Sequence, residues 1–207
     1  MTCPVSPSPP QALRIELLAC IAALSAPGAT IEARAFEPLL AQMQLRDLQA
    51  GETLLRVGDH GEREVMVLRG CLRSWVGDRE GRSVTLGFHV GPCALPPAIT
   101  RHAEGRSRIQ CDALGPARVA SFGAEALSRL MRSEPCVGAW GDHILRGELL
   151  RRAEREWALA ALPARERLLQ FRAQFPGLEA QVAQHHIASY LGITPVSLSR
   201  LRAQLKG

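Results

Sequence analysis

"HHIASYLGITPVSLSRLR" occupies residues 185–202. Two short helical runs flank Gly192. Upstream, Ile187, Ala188 and Leu191 fall where a first helix must face inward, and Ala188 is small enough for two helices to cross. Gly192 can take the left-handed conformation that a tight helix exit needs. Ile193 plugs the corner. Thr194 is a sound N-cap, and Pro195 suits the first helical position, where a missing N–H costs nothing. Leu198, Leu201 and Leu205 then recur at i, i+3 and i+7 on one face. Each slot of a helix-turn-helix is filled by a residue with a physical reason to be there.

The helix wheel, at about 100° per residue, separates the two faces of the second helix. With Leu198, Leu201 and Leu205 inward, Val196, Ser199, Arg200 and Ala203 face away. Thr194, Pro195 and Ser197 form the positive N-terminal end, where hydroxyls and backbone N–H groups can hold a phosphate. Arg200 is the outward side chain able to grip guanine O6 and N7 bidentately. Arg202 lies off-centre and is expected at a phosphate. His185 opens the first helix and is expected at the DNA backbone. The adjacent His185 and His186 do not share a helix face, so no metal site is read there, and no catalytic set either.

Charge agrees with this reading. The 207 residues carry a net charge of +5. From Ala161 onward six basic residues (Arg165, Arg167, Arg172, Arg200, Arg202 and Lys206) stand against Glu166 and Glu179, so most of the excess lies in the last quarter. A basic terminal region is the electrostatic footprint of a nucleic-acid binder, although a solvated basic face would look the same on charge alone.

Further upstream the texture changes. From about Leu48 to Phe122 short β-type runs ("ETLLRV", "EVMVLRG", "CLRSWV", "SVTLGFHV", "RIQCDAL", "ARVASF") alternate with Gly- and Pro-bearing turns. That spacing predicts an antiparallel sandwich or barrel. Helices are expected before it, over 11–25 and 32–44. After Pro135 a long helix runs to about Leu162, with Val137, Trp140, Ile144, Leu145, Leu149, Ala153 and Trp157 at spacings of three or four. That stripe can pack on the chain's own barrel or form a seam between two copies. The length of the helix favours the seam, with Val137, Trp140, Ile144, Leu149 and Trp157 at the dimer interface.

No run is long and apolar enough to span a bilayer. "MTCPVSPSPP" lacks a basic n-region and reads as a short disordered lead, not a signal peptide. The six cysteines form no CxxC pair and are expected as reduced, mostly buried thiols of a cytoplasmic protein.

This order of elements resembles the Crp-Fnr family of bacterial transcription regulators. "IASYLGITPVSLSRLR" is very similar to one branch of it, and "AGETLLRVGD", "VLRGCLRSWVGDREG" and "TLGF" look like its sensor barrel. The resemblance implies an α+β chain. A disordered lead would cover residues 1–10, and an antiparallel jelly-roll sensor of cyclic-nucleotide-binding type residues 11–133. A dimerisation helix would follow over 134–161 and a helix-turn-helix domain over 162–207. It implies a homodimer on an inverted-repeat operator in double-stranded DNA, with RNA polymerase as a partner.

The departures concern the effector. In the family a Gly-Glu pair holds the ribose of a cyclic nucleotide and a later Arg-Ser or Arg-Thr grips its phosphate. Arg106-Ser107 match the second and are the candidate effector residues. Leu95-Pro96 stand where the Gly-Glu belongs, so cyclic AMP is not the expected signal. Cys3 and Cys20 are isolated, unlike the closely spaced N-terminal cysteines of an iron–sulfur branch. His89 and Cys93 read as ordinary strand and loop residues. The effector stays unknown at this level, and where relatives read with a glutamate this chain has Val196. A competing reading is a small-molecule or redox sensor acting through a protein partner, with a vestigial helix-turn-helix. No Gly-rich phosphate loop or nucleophile elbow suggests an enzyme.

Overall fold

The computed structural model describes residues 11–60 and 63–205. The expected lead over residues 1–10, with Cys3, and the basic Lys206 lie outside the described residues. Two helices come first, α1 (Gln11–Ala23) and α2 (Ala33–Leu40). Strands follow: β1 (Gln44–Leu48), β2 (Thr53–Leu55), β3 (Arg63–Arg69), β4 (Cys71–Gly77), β5 (Ser83–Val90) and β6 (Cys93–Ala94). A single turn, α3 (Ala98–Arg101), leads to β7 (His102–Ala103), β8 (Arg106–Ser107), β9 (Gln110–Ala113) and β10 (Ala117–Gly123). Helices return as α4 (Ala124–Ser133), α5 (Pro135–Ala161), α6 (Ala164–Gln174), α7 (Leu178–Gln181), α8 (Gln184–Tyr190) and α9 (Pro195–Gln204).

Two four-stranded antiparallel sheets, β1-β10-β3-β6 and β2-β9-β4-β5, face each other. Between them lie Leu48, Val65, Val67 and Val119 from the first sheet, and Leu72, Cys111 and Ala113 from the second. The period-2 alternation of a strand then decides what the outer faces must meet. In β3, Val65 and Val67 point into the barrel, while Met66 and Leu68 join a cluster with α1, α2 and α5. With both faces covered, "VMVL" reads as an unbroken apolar run. The second sheet is covered as well: Phe88 of β5, with Cys71 and Leu114 beside it, packs into the cluster built by α6–α9. At the β3–β4 turn Gly70 has φ +87°, and a Cβ there would lie 2.5 Å from the Pro116 carbonyl oxygen, so only glycine fits.

Two expectations change. The helix expected to Gln44 stops at Leu40, and Gln44–Leu48 is an edge strand. Of its residues only Leu48 is buried, so it carries no alternation to detect. The long helix is present, but its two halves behave differently. Val137 and Trp140 belong to the chain's own core. The indole N–H of Trp140 donates to the Ile21 carbonyl at 3.1 Å, and its ring meets Phe36 edge-on at 5.6 Å. Gly141 crosses so close to Met131 that a Cβ would sit 2.5 Å from its methyl group. Val137 and Trp140 are therefore not seam residues, and Ile144 is half-buried in the same cluster. The second half buries Ala158 but leaves large apolar side chains uncovered: Leu149 and Leu150 are each 64% exposed and Trp157 is 58% exposed.

Candidate nucleic-acid interface

The terminal helices form the expected device, and each joint has a visible cause. α8 ends where Gly192 turns left-handed at φ +65°. The Ile193 N–H reaches back to the Ala188 carbonyl at 3.0 Å, which closes the corner. The Thr194 hydroxyl accepts from the Ser197 N–H at 3.1 Å and lies 2.9 Å from the Ser197 hydroxyl, so the cap is made and Pro195 occupies the first turn. Such a cap contributes about 1 kcal/mol. Gln184 donates across the turn to the Pro195 carbonyl at 3.2 Å.

Below α9, Leu198 is fully buried, with Ile193, Leu201 and Leu205 packed around it. Above it Val196 is 60% exposed, and Ser199, Arg200 and Ala203 are exposed too. Thr194 and Pro195 are exposed and Ser197 half-buried at the N-terminal end, and His185 is exposed at the start of α8. Val196, Ser199 and Arg200 thus share one free face.

Arg202 does not. Its Nε donates to Glu179 Oε1 at 2.6 Å, and the same carboxylate takes Arg172 on Oε2 at 2.5 Å. Hydrogen bonds from Arg172 and then Arg202 hold the Glu179 carboxyl below its ordinary range. Sequence reasoning missed this partner because Glu179 lies 23 residues away, in α7, a helix of four residues too short to show periodicity.

α8 faces the barrel. Ser189 Oγ accepts from the Thr85 N–H at 2.9 Å and donates to the Ser83 carbonyl at 3.2 Å, which fastens the helix along β5. The Arg155 guanidinium of α5 lies 3.8 Å over the Tyr190 ring and donates to the Thr85 carbonyl at 3.3 Å. Phe88 meets Phe171 edge-on at 5.8 Å and lies 5.3 Å from Tyr190. His186 is half-buried, and its Nδ1 has no hydrogen-bond partner among the described residues. Burial, then the nearby Arg73 and His185 charges, push it down to about 4.

The candidate effector pair is not assembled as a grip. Arg106 is exposed and donates to the Gly58 carbonyl at 3.2 Å, while the buried Ser107 hydroxyl donates to the Ile109 carbonyl at 2.8 Å. Leu95 fills the barrel interior. Arg101 is buried and donates to the carbonyls of Pro96 and Arg63. A groove of about 880 Å³ lies outside the barrel, between β3, α3, α4 and α5, and neither Arg106 nor Ser107 lines it.

His89 is buried against the Ser74 hydroxyl at 2.9 Å and pushed down to about 3, first by burial and then by the Arg151, Arg101 and Arg152 charges. Burial pushes Cys20 and Cys71 up to about 11, Cys111 to about 12 and Cys93 further still. These thiols are poor nucleophiles at neutral pH. Among the described residues no group of three or more His, Cys, Asp or Glu is placed to hold a metal ion, and no helix is long and apolar enough to cross a membrane.

No protein-family profile matches the chain. The nitrogen fixation regulation protein FixK of Bradyrhizobium diazoefficiens is 27% identical over 189 residues, which cover 84% of this chain and 76% of the relative. FixK2 from Bradyrhizobium japonicum superposes with a TM-score of 0.67 at 20% identity, over 79% of this chain and 84% of that one. CLP of Xanthomonas campestris, a regulator responsive to cyclic di-GMP, superposes with a TM-score of 0.66 at 17% identity, over 84% of this chain and 92% of that one.

Proposed function

We infer that this chain, of the Crp-Fnr type in fold and in sequence, is a sequence-specific DNA-binding transcription regulator. The observation that carries the inference is the capped helix α9, locked inward by Leu198, with Val196, Ser199 and Arg200 on a free outer face. Arg200 reads a guanine bidentately in the major groove. Val196 cannot accept from a base amino group as a glutamate would, and packs on a thymine methyl instead. Thr194, Pro195, Ser197 and His185 lie against the phosphate backbone.

The working unit is a cytoplasmic homodimer. Residues 11–133 form the sensor, 134–161 the dimerisation helix and 162–207 the reader, with Phe88 of the sensor completing the reader's core. Leu149 and Trp157, with the open flank of Ile144, form the seam. Two recognition helices then enter successive major grooves about 34 Å apart, so the operator is an inverted repeat. RNA polymerase is the downstream partner. Cyclic AMP is not the signal: Leu95 fills the barrel, and Arg106 and Ser107 are engaged by their own loops.

The test is a selection from random duplexes. Wild type enriches an inverted repeat with a guanine in each half-site, and Arg200→Ala loses preference at that base pair. Failure of wild type to enrich any sequence sinks the reading. Light scattering follows assembly: wild type is a dimer, and Leu149→Asp is a monomer that no longer retards its operator.

A further inference from the structure

Two arginines stand on α9, and the structure treats them in opposite ways. Arg200 and Arg202 are two residues apart, so they project about 200° from each other around the helix. Arg200 is exposed. The Arg202 side chain is 24% exposed and ends on a carboxylate that is itself 20% exposed. We propose that Glu179 is a positioning residue for the recognition helix: its carboxylate holds Arg202 against α7, so that Arg200 alone carries the positive charge of α9 to DNA.

The clamp has three members on three helices. Glu179 Oε2 accepts from Arg172 Nε of α6 at 2.5 Å, and Oε1 accepts from Arg202 Nε of α9 at 2.6 Å. A second Arg172 nitrogen reaches Oε1 at 3.2 Å. α6 is anchored beneath by Leu168 and Phe171, both fully buried, so the last turn of α9 is tied to a fixed element. Ion pairs in the open contribute little, but a shared carboxylate with forked geometry fixes direction as well as charge.

From Ala161 onward Glu179 and Glu166 are the only acidic residues, so a carboxylate beside the recognition helix is a local exception to the basic surface. In its absence the Arg202 guanidinium of α9 is free to seek phosphates without regard to sequence. Glu179 thereby lowers non-specific attraction while holding the reading face steady.

The inference rests on the DNA-binding reading, and the experiment separates the two. The full chain is titrated with its selected operator and with a scrambled duplex over a range of salt. Each phosphate neutralised contributes about −0.9 to the slope of log affinity against log salt. Glu179→Gln is expected to steepen the slope by about one unit, tighten scrambled-duplex binding several-fold and narrow the specificity ratio. Glu179→Asp, which keeps the charge, is expected to retain the wild-type ratio. Arg202→Leu is expected to leave the slope unchanged.

A shallower slope for Arg202→Leu makes Arg202 a phosphate contact and overturns the proposal. A wild-type slope and ratio for Glu179→Gln overturn it too. A clamp that served stability alone would lower the melting temperature and leave slope and ratio where they were. If wild type binds neither duplex, the DNA-binding reading fails and the clamp with it.

Discussion

α8 and α9 are consecutive, amphipathic and joined by one left-handed glycine, yet their outer faces meet different fates. The outer face of α8 is taken: Ser189 fastens to β5, Tyr190 lies under Arg155, and His186 is half-buried. The outer face of α9 is free, with Val196, Ser199 and Arg200 touching solvent. Function in a helix pair is to be sought on the face that the rest of the fold leaves open. Side chains already satisfied inside the molecule hold the pair in place. Side chains of good hydrogen-bonding geometry that are left unsatisfied are the ones available to a partner.

The contrast can be broken hardest at Phe88. This barrel residue sits in the reader's aromatic cluster, within 6.0 Å of Phe171, Phe175 and Tyr190 by ring centroids. Phe88→Ala should cost about 3–5 kcal/mol, as large-to-small changes in packed cores do. Because the residue joins two regions, calorimetry should show one transition in wild type and two in the variant. A single transition at an unchanged temperature would show that the reader does not depend on the sheet.

On the free face the effect should fall on binding alone. Arg200→Ala should cost about 1–3 kcal/mol at the operator and relax preference at its base pair. The melting temperature should not move, since the side chain is exposed. A stability loss that matched the binding loss would place Arg200 in the fold and not on the reading face.

Ser189→Ala probes the docked side. It removes the acceptor of the Thr85 N–H and the donor to the Ser83 carbonyl. Ser189 is half-buried at the rim, so water can replace part of this, and the expected loss is about 1 kcal/mol. Hydrogen exchange should report faster opening at Thr85. Protection identical to wild type there would count against the fastening.

Much of this was legible in the sequence, for reasons that differ by element. The Gly192 turn, the Thr194 cap and the burial of Leu198 follow from local rules and were readable residue by residue. The strands between Thr53 and Phe122 were readable as alternating runs broken by glycine and proline. What could not be read is what faces what across long separations. The stripe on α5 is continuous in sequence, but Val137 and Trp140 turn to α1 and α2 while Leu149 turns to solvent. Periodicity reports a face, not its partner. Glu179 and Arg202 are likewise joined only in space. Phe88 gave no sign of serving the reader, because in β5 an outward phenylalanine and an inward one look alike.

The mildest way to separate the faces is acid. His186, on the docked face, has its proton affinity lowered to about 4 by burial first, then by Arg73 and His185, with Asp112 opposing them. In the unfolded chain a histidine titrates near 6.5. Between those values the unfolded chain binds a proton that the folded chain refuses, so stability must fall as pH drops below about 6.5. The buried His89, pushed down to about 3, adds a loss of the same sign over a wider window. The melting temperature should therefore decline from pH 7 to pH 5, and His186→Gln should remove part of that decline while His89 keeps the rest. Neither histidine lies on the free face, so Arg200→Ala should follow the same pH curve as wild type. A decline that His186→Gln leaves unchanged would mean that α8 is not pressed against the sheet in solution.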